Sequence, residues 1–299
     1  MTLLFFFIYL FNSENIFLYL GIIILKQLSS LLKIPVSFLF LFLHLNASGG
    51  DPYRLSAGAG EAGMGYVCVM KNSFWSSFHN QASLADNTSV SLGFNYENRF
   101  SLKELGTRTA AIIIPAWKTS VGAVYSYFGY SDYKREMTGL ACGLKLSEKL
   151  SAGVQIDYYS EKAPGEYNNN QSVTFETGLM INPSENIRIG IQLFNPVPNS
   201  LRKTYLPAKL RVGAGTELTT SLFAGVEAEM STGSKLIIRT GLEYEAAKKL
   251  WIRCGFSTDN NSFSFGLGYL TGIVRLDLSF ATHEMLGITS SASLIFKIH

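Results

Sequence analysis

From Ser89 onward, apolar and polar residues alternate in runs of about ten, and the pattern recurs to the end of the chain. Ile187, Ile189, Ile191 and Leu193, for example, are separated by Arg188, Gly190 and Gln192. A period of two sends successive side chains to opposite faces, so such runs are strands with two unlike faces. The pattern predicts about fourteen of them: Val90–Glu97, Thr107–Ala116, Ser120–Phe128, Thr138–Leu146, Lys149–Tyr159, Val173–Asn182, Ile187–Leu193, Lys209–Leu218, Ser221–Met230, Leu236–Glu245, Leu250–Ser257, Ser262–Tyr269, Arg275–Phe280 and Ile288–Ile298. No helical period of 3.6 competes with it.

One face carries Leu, Ile, Val, Phe and Tyr, and the other Gly, Ser and charges of both signs. A soluble barrel turns its apolar face inward, whereas a barrel in lipid turns it outward around a polar interior. Strand length favours lipid, since a tilted strand needs about nine to eleven residues to cross a bilayer and soluble strands average about five or six. The connections point the same way. Trp117–Thr119, Ser147–Glu148, Pro183–Asn186, Thr219–Thr220, Ala246–Lys249 and Leu270–Gly272 are short, while the intervening Asn98–Gly106, Gly129–Met137, Ser160–Ser172 and Asn195–Pro207 are long and polar. Tyr96, Tyr125, Tyr127, Tyr158, Tyr244 and Tyr269 fall near strand ends, at the level of an interfacial girdle. The last strand presents Leu294, Phe296 and Ile298 outward, which suits the seam of a closed cylinder. The expected fold is therefore an all-β transmembrane antiparallel barrel spanning residues 88–299.

The first 49 residues read as a leader. Lys26 and Lys33 precede the apolar run Ile34–Leu45 and the small residues Asn46-Ala47-Ser48-Gly49, the order of an export signal. The stretch before Lys26 is long for such a signal, which suggests that the functional start lies downstream of Met1. The alternative, an anchor made from residues 1–45, lacks the run of about twenty apolar residues that a spanning helix needs. Export in a double-membraned bacterium places the mature barrel in the outer membrane. The formal charge of +3, from 25 basic and 22 acidic residues without blocks of either sign, gives no grip on nucleic acid. Cys68, Cys142 and Cys254 are too few and too scattered for a disulfide framework or a zinc motif. No cofactor motif appears, and none is expected.

Between leader and barrel, residues 50–87 do not alternate. They hold Ser56-Ala57-Gly58-Ala59-Gly60-Glu61-Ala62-Gly63-Met64-Gly65 and then Phe74-Trp75-Ser76-Ser77-Phe78-His79-Asn80-Gln81-Ala82-Ser83-Leu84-Ala85. The glycines permit close backbone approach and positive φ, as a compact plug would need. In this order of elements the chain resembles the FadL-type outer-membrane transporters and, more closely, the related PorV/PorQ-type barrels of Gram-negative bacteria. In those proteins a Gly/Ala run leads to Gly-Met-Gly, and a short helix ends in Asn-Pro-Ala-Gly-Leu before fourteen strands. Here Gly63-Met64-Gly65 matches the first motif and Asn80–Leu84 the second, with Gln81 for proline and Ser83 for glycine; Tyr66 stands where a small residue is usual. The resemblance implies a lumenal hatch, including Gly60, Gly63, Met64, Gly65, Trp75, Phe78, His79 and Asn80, and the passage of small hydrophobic or amphipathic molecules. In its PorV/PorQ branch it implies instead an accessory barrel of a type IX-like secretion or surface-attachment assembly, with other envelope proteins as partners.

Candidate lumen-lining charges are Arg188, Arg211, Glu227, Arg239, Glu243, Arg253, Arg275 and Asp277, joined by Asp157, Glu176, Glu217 and Glu229. They either line a polar conduit or pair with one another and with the hatch, because an isolated buried charge is too costly to keep. The strand at Thr107–Ala116 breaks the alternation with an apolar run, Ala111–Ile114, followed by Pro115. Ile113, Pro115, Val124 and Phe128 thus mark either an apolar inner patch with a sideways opening or a strand end whose patch packs on Trp75 and Phe78. Enzymatic chemistry is not expected. Of four histidines, only His79 and His283 lie outside the leader and the terminus, one in the hatch and one in a loop.

Overall fold

A computed structural model describes residues 57–163, 170–197, 200–201, 204–232 and 234–298. The leader expected at 1–49 and the first residues of the expected hatch, 50–56, lie outside the described residues. The chain forms fourteen wall strands: β1 (Val90–Asn98), β2 (Gly106–Ala116), β3 (Thr119–Gly129), β4 (Lys134–Ser147), β5 (Leu150–Lys162), β6 (Asn170–Ile181), β7 (Ile187–Phe194), β10 (Lys209–Thr219), β11 (Leu222–Ser231), β12 (Ile237–Ala247), β13 (Leu250–Ser257), β14 (Ser262–Thr271), β15 (Val274–His283) and β16 (Gly287–Ile298). A two-stranded hairpin, β8 (Ser200–Leu201) with β9 (Thr204–Tyr205), stands in the connection between β7 and β10. Each wall strand pairs antiparallel with its chain neighbours, and β1 pairs with β16 from Val90↔Ile298 to Asn98↔Ser290, which closes the barrel.

The faces sort as a barrel in lipid requires. Leu140, Val154, Ile156 and Phe265 are exposed on the outer wall, Leu140 by 67% and Ile156 by 62%. Asp157, Glu227, Arg239, Arg253 and Asp277 are buried on the inner one. Apolar side chains looking out and charges looking in make this a transmembrane barrel, because only a surrounding hydrocarbon phase favours that sorting. Tyr96, Tyr125, Tyr158, Tyr244 and Tyr269 are exposed toward strand ends, as the girdle reading expects, and Tyr127 is half-buried.

The short turns gather at one end and the longer connections at the other, but some of the long loops expected from sequence are shorter. β4 begins at Lys134 and β5 runs to Lys162, so the ladder climbs past the apolar band through Arg135↔Glu161 and Lys134↔Lys162. An ion pair between Arg135 and Glu161, at 3.1 Å, ties this extension together. Above the bilayer neither face needs to be apolar, so the alternation that marks a strand disappears while the strand continues.

The N-terminal segment consists of α1 (Ala59–Gly63), α2 (Ser76–His79) and a 3₁₀ turn at Gln81–Asp86, joined by irregular chain. It lies within the barrel. Nearly all of residues 57–84 are buried, and α1 packs on β13–β15 while the 3₁₀ turn packs on β3–β6.

Candidate functional site

The lumen is lined by small residues at one level. Gly143 and Gly153 face each other across β4 and β5, Gly153 faces Gly178 on β6, Gly190 faces Gly213 across β7 and β10, and Gly225, Gly241 and Gly255 continue in register over β11–β13. The N-terminal segment runs along this belt with its backbone against the wall. A Cβ on Gly190 would stand 2.0 Å from the Val69 carbonyl oxygen, one on Gly153 would stand 2.3 Å from the Gln81 carbonyl carbon, and one on Gly255 would stand 2.2 Å from that of Met64. Strand glycines weaken a sheet, and their use here is to let a second backbone approach.

Polar contacts fasten the segment to the belt. Glu227 Oε2 accepts from the backbone N–H groups of Cys68 and Val69, each at 3.0 Å. Lys71 Nζ meets Glu243 Oε2 at 2.7 Å. Asn80 Nδ2 donates to the Val69 carbonyl at 2.6 Å and to the Leu179 carbonyl of β6 at 3.0 Å. Burial pushes the Cys68 thiol up to about 12, so it stays protonated while the segment is seated.

The three departures from the motif each carry a contact. Gln81, in place of proline, donates through Nε2 to Glu176 at 2.8 Å. Ser83 Oγ donates to the Lys71 carbonyl at 3.2 Å. Tyr66, at φ 63°, donates its hydroxyl to Glu97 of β1.

The other expected hatch residues are in the lumen as well. Gly60 sits over Arg253 and Asp277, Gly63 touches Gly266, and Gly65 adopts φ +67°. Met64 is fully buried. Phe74, Trp75 and Phe78 form an aromatic trio, with Phe74 at 4.9 Å from Trp75 and 5.9 Å from Phe78. His79 Nε2 lies 2.9 Å from the Ala57 carbonyl, a backbone tie within the segment. His283 is on the outer end, where its Nδ1 accepts from the Met285 and Leu286 amides.

Seven of the eight candidate charges form two buried lattices. In one, Arg211 Nε meets Glu227 at 2.8 Å, and Arg239 reaches Glu229 at 2.8 Å and Glu227 at 3.5 Å. In the other, Glu243 is shared by Lys71, Arg253 and Arg275, and Asp277 takes Arg253 at 2.7 Å and Arg275 at 3.0 Å. Arg188 stands apart and pairs with Glu217 at 3.4 Å near the short-turn end. The charges of the two lattices therefore neutralise one another and hold the segment, whereas Asp157 and Glu176 lie on adjacent strands and are held by the amides of Gln155, Gln81 and Gln192.

Across the lumen, the inner face of β2–β4 carries an apolar patch among polar neighbours such as Thr109, Gln155 and Asp157. Ile113 and Val124 are buried in one cluster with Trp75, Phe78, Met137, Tyr159 and Phe194. Phe128 is half-buried beneath Arg99 and Arg135, with each guanidinium 5.8 Å from its ring centre. Pro115 is the second-last residue of β2; the ladder to β3 continues through it as Pro115↔Ser120, while the ladder to β1 ends at Ser91↔Ile113. The residues that sequence reasoning missed are Lys71, the Cys68–Val69 amides and the wall glycines; the glycines alone left a signal, an inward glycine on nearly every strand.

No protein-family model matches the chain, and no curated protein matches it. Solved structures do. The CymD monoaromatic hydrocarbon channel superposes with a TM-score of 0.65 at 13% identity, over 81% of this chain and 97% of that one. What they share is a fold. The Pseudomonas putida toluene transporter TodX gives 0.62 at 10% identity, over 82% and 98%. A Pseudomonas aeruginosa FadL homologue gives 0.60 at 11% identity, over 86% of this chain and all of the other.

Proposed function

We propose that the protein is an outer-membrane channel for small hydrophobic or amphipathic molecules, with residues 50–87 as hatch, residues 88–299 as barrel and an export signal within 1–49. The observation that carries this reading is an apolar patch on the inner wall of a lumen that is polar elsewhere. Charged lattices on β10–β15 grip the segment, while Ile113, Val124 and Met137 present an apolar inner wall beside its aromatic trio. A purely polar pore would have no use for greasy inner residues, since water does not favour them. The shared fold with two hydrocarbon channels supports the same reading. The accessory-barrel alternative rests on resemblance alone.

The test is uptake of a hydrophobic fluorescent probe into vesicles carrying the purified barrel. Wild-type protein is expected to admit it. Ile113→Asp or Val124→Asp, in whichever variant still folds, is expected to slow entry by about tenfold or more, since a charge in an apolar path is strongly disfavoured. No uptake by a folded wild-type barrel would overturn the proposal.

A further inference from the structure

The outer wall holds a charge that the lumen lattices do not explain. Outward positions of the wall strands are apolar or uncharged almost throughout the described residues. The exceptions are Lys134 and Glu136, which pair at 3.3 Å, Lys162 at the last position of β5, and Arg108. Arg108 is the third residue of β2, exposed on the lipid side, and among the described residues no carboxylate pairs with it. Its guanidinium lies 5.7 Å from the centre of the Tyr127 ring. Tyr96 and Tyr127 are its direct cross-strand neighbours. Tyrosines take the headgroup level of a bilayer, so Arg108 sits at the height where lipid phosphates lie, on the long-loop side.

Beside it, toward mid-membrane, the wall is hollowed. Ala110 stands between Phe94 and Tyr125, and Ala292 stands next to Tyr96. These small residues between large ones leave an apolar trough of about 620 Å³, with Leu294 on its far side and Arg108 among its lining residues. A lone guanidinium facing lipid is tolerated near an interface but gains nothing there by itself. Beside an apolar trough it matches one kind of molecule, with a hydrocarbon tail for the trough and a phosphate for bidentate hydrogen bonds.

We propose that Arg108 and the adjoining trough form a binding site for a phosphate-bearing acyl lipid of the leaflet on the long-loop side. The site is separate from the lumen and does not depend on transport. The free guanidinium sets the preference for phosphate, and Ala110 and Ala292 make room for the chain.

The experiment is native mass spectrometry of the full chain released from detergent, with dioleoyl phosphatidic acid and dioleoyl glycerol as probes. The two carry the same chains and differ in the phosphate. Wild-type protein is expected to retain phosphatidic acid about tenfold better than diacylglycerol, and Arg108→Gln to remove that preference. Ala292→Leu, which fills the trough and leaves the charge, is expected to weaken both. Inorganic phosphate in millimolar excess should not compete, because it lacks the tail. Equal retention of the two lipids by the wild type, an unchanged preference in Arg108→Gln, or full displacement by inorganic phosphate would each overturn the site. Arg108 faces outward, so the heat-sensitive gel mobility of the folded barrel checks that the variant is intact.

Discussion

Replacing Gly190 with alanine tests whether the wall glycines exist to seat the lumenal segment. The added Cβ would lie 2.0 Å from the Val69 carbonyl oxygen and 2.5 Å from its carbon. A carbon–oxygen contact needs about 3.3 Å or more, so one backbone must retreat by more than about 1 Å. Both surfaces are main chain, and no rotamer change relieves the clash. Tolerating it as overpacking costs about 1–3 kcal/mol or more. Moving the segment stretches the two 3.0 Å bonds from Cys68 and Val69 to Glu227 out of range. Bonds to a charged acceptor are worth about 1.5–3 kcal/mol each, but Glu227 keeps Arg211 and Arg239, so the loss stays at the low end, about 3 kcal/mol. The two routes cost about the same, and a bias of about 3 kcal/mol raises the unseated population about a hundredfold.

Cys68 reports that population directly. Seated, its thiol is buried and held up at about 12; unseated, it returns to the ordinary range and reacts. In a background of Cys142→Ser and Cys254→Ser, maleimide labelling of Cys68 is expected to be about a hundredfold faster with Gly190→Ala, while gel mobility still reports a closed barrel. Labelling at the parent's rate in a folded variant would refute the reasoning, because it would mean the wall and the segment do not press on each other.

Other substitutions separate the remaining contributions. Glu227→Ala leaves the Cys68 and Val69 amides without an acceptor and Arg211 and Arg239 with Glu229 alone, so the urea unfolding midpoint should fall by an amount equivalent to about 3 kcal/mol. Lys71→Met should cost clearly less than that, because Glu243 keeps Arg253 and Arg275, and faster Cys68 labelling with an unchanged unfolding midpoint would show it. Ile156→Arg, on the lipid face, should destabilise the inserted barrel by about 2–4 kcal/mol in a vesicle unfolding titration; a change below about 0.5 kcal/mol would contradict the outward placement of that residue.

The wall was legible in the sequence because a bilayer forces the period-two signal on each strand that crosses it. The ends of β4 and β5 were not, because beyond the apolar band no force imposes a greasy face. The pairing of Arg253 with Asp277 and Glu243 was readable as a class, since buried charges must find partners, but which partners was set by register. Lys71 sits in chain without periodicity, so nothing local marks it. Gly153 and Gly190 read only as small inward residues, since a glycine's neighbour across a lumen leaves no trace at its own position.

The glycine track presses main chain against main chain, and such a contact is indifferent to what the occupant's side chains are. Where the lumenal segment lays backbone on it, at Gly153, Gly190 and Gly255, its side chains can change so long as the backbone path is kept, whereas any side chain added to the track at those points must push one backbone back. Chains built on this plan would then drift apart in sequence while keeping the spacing of their wall glycines, strand after strand. That spacing, rather than any motif in the lumenal segment, is the signature by which distant relatives should be sought.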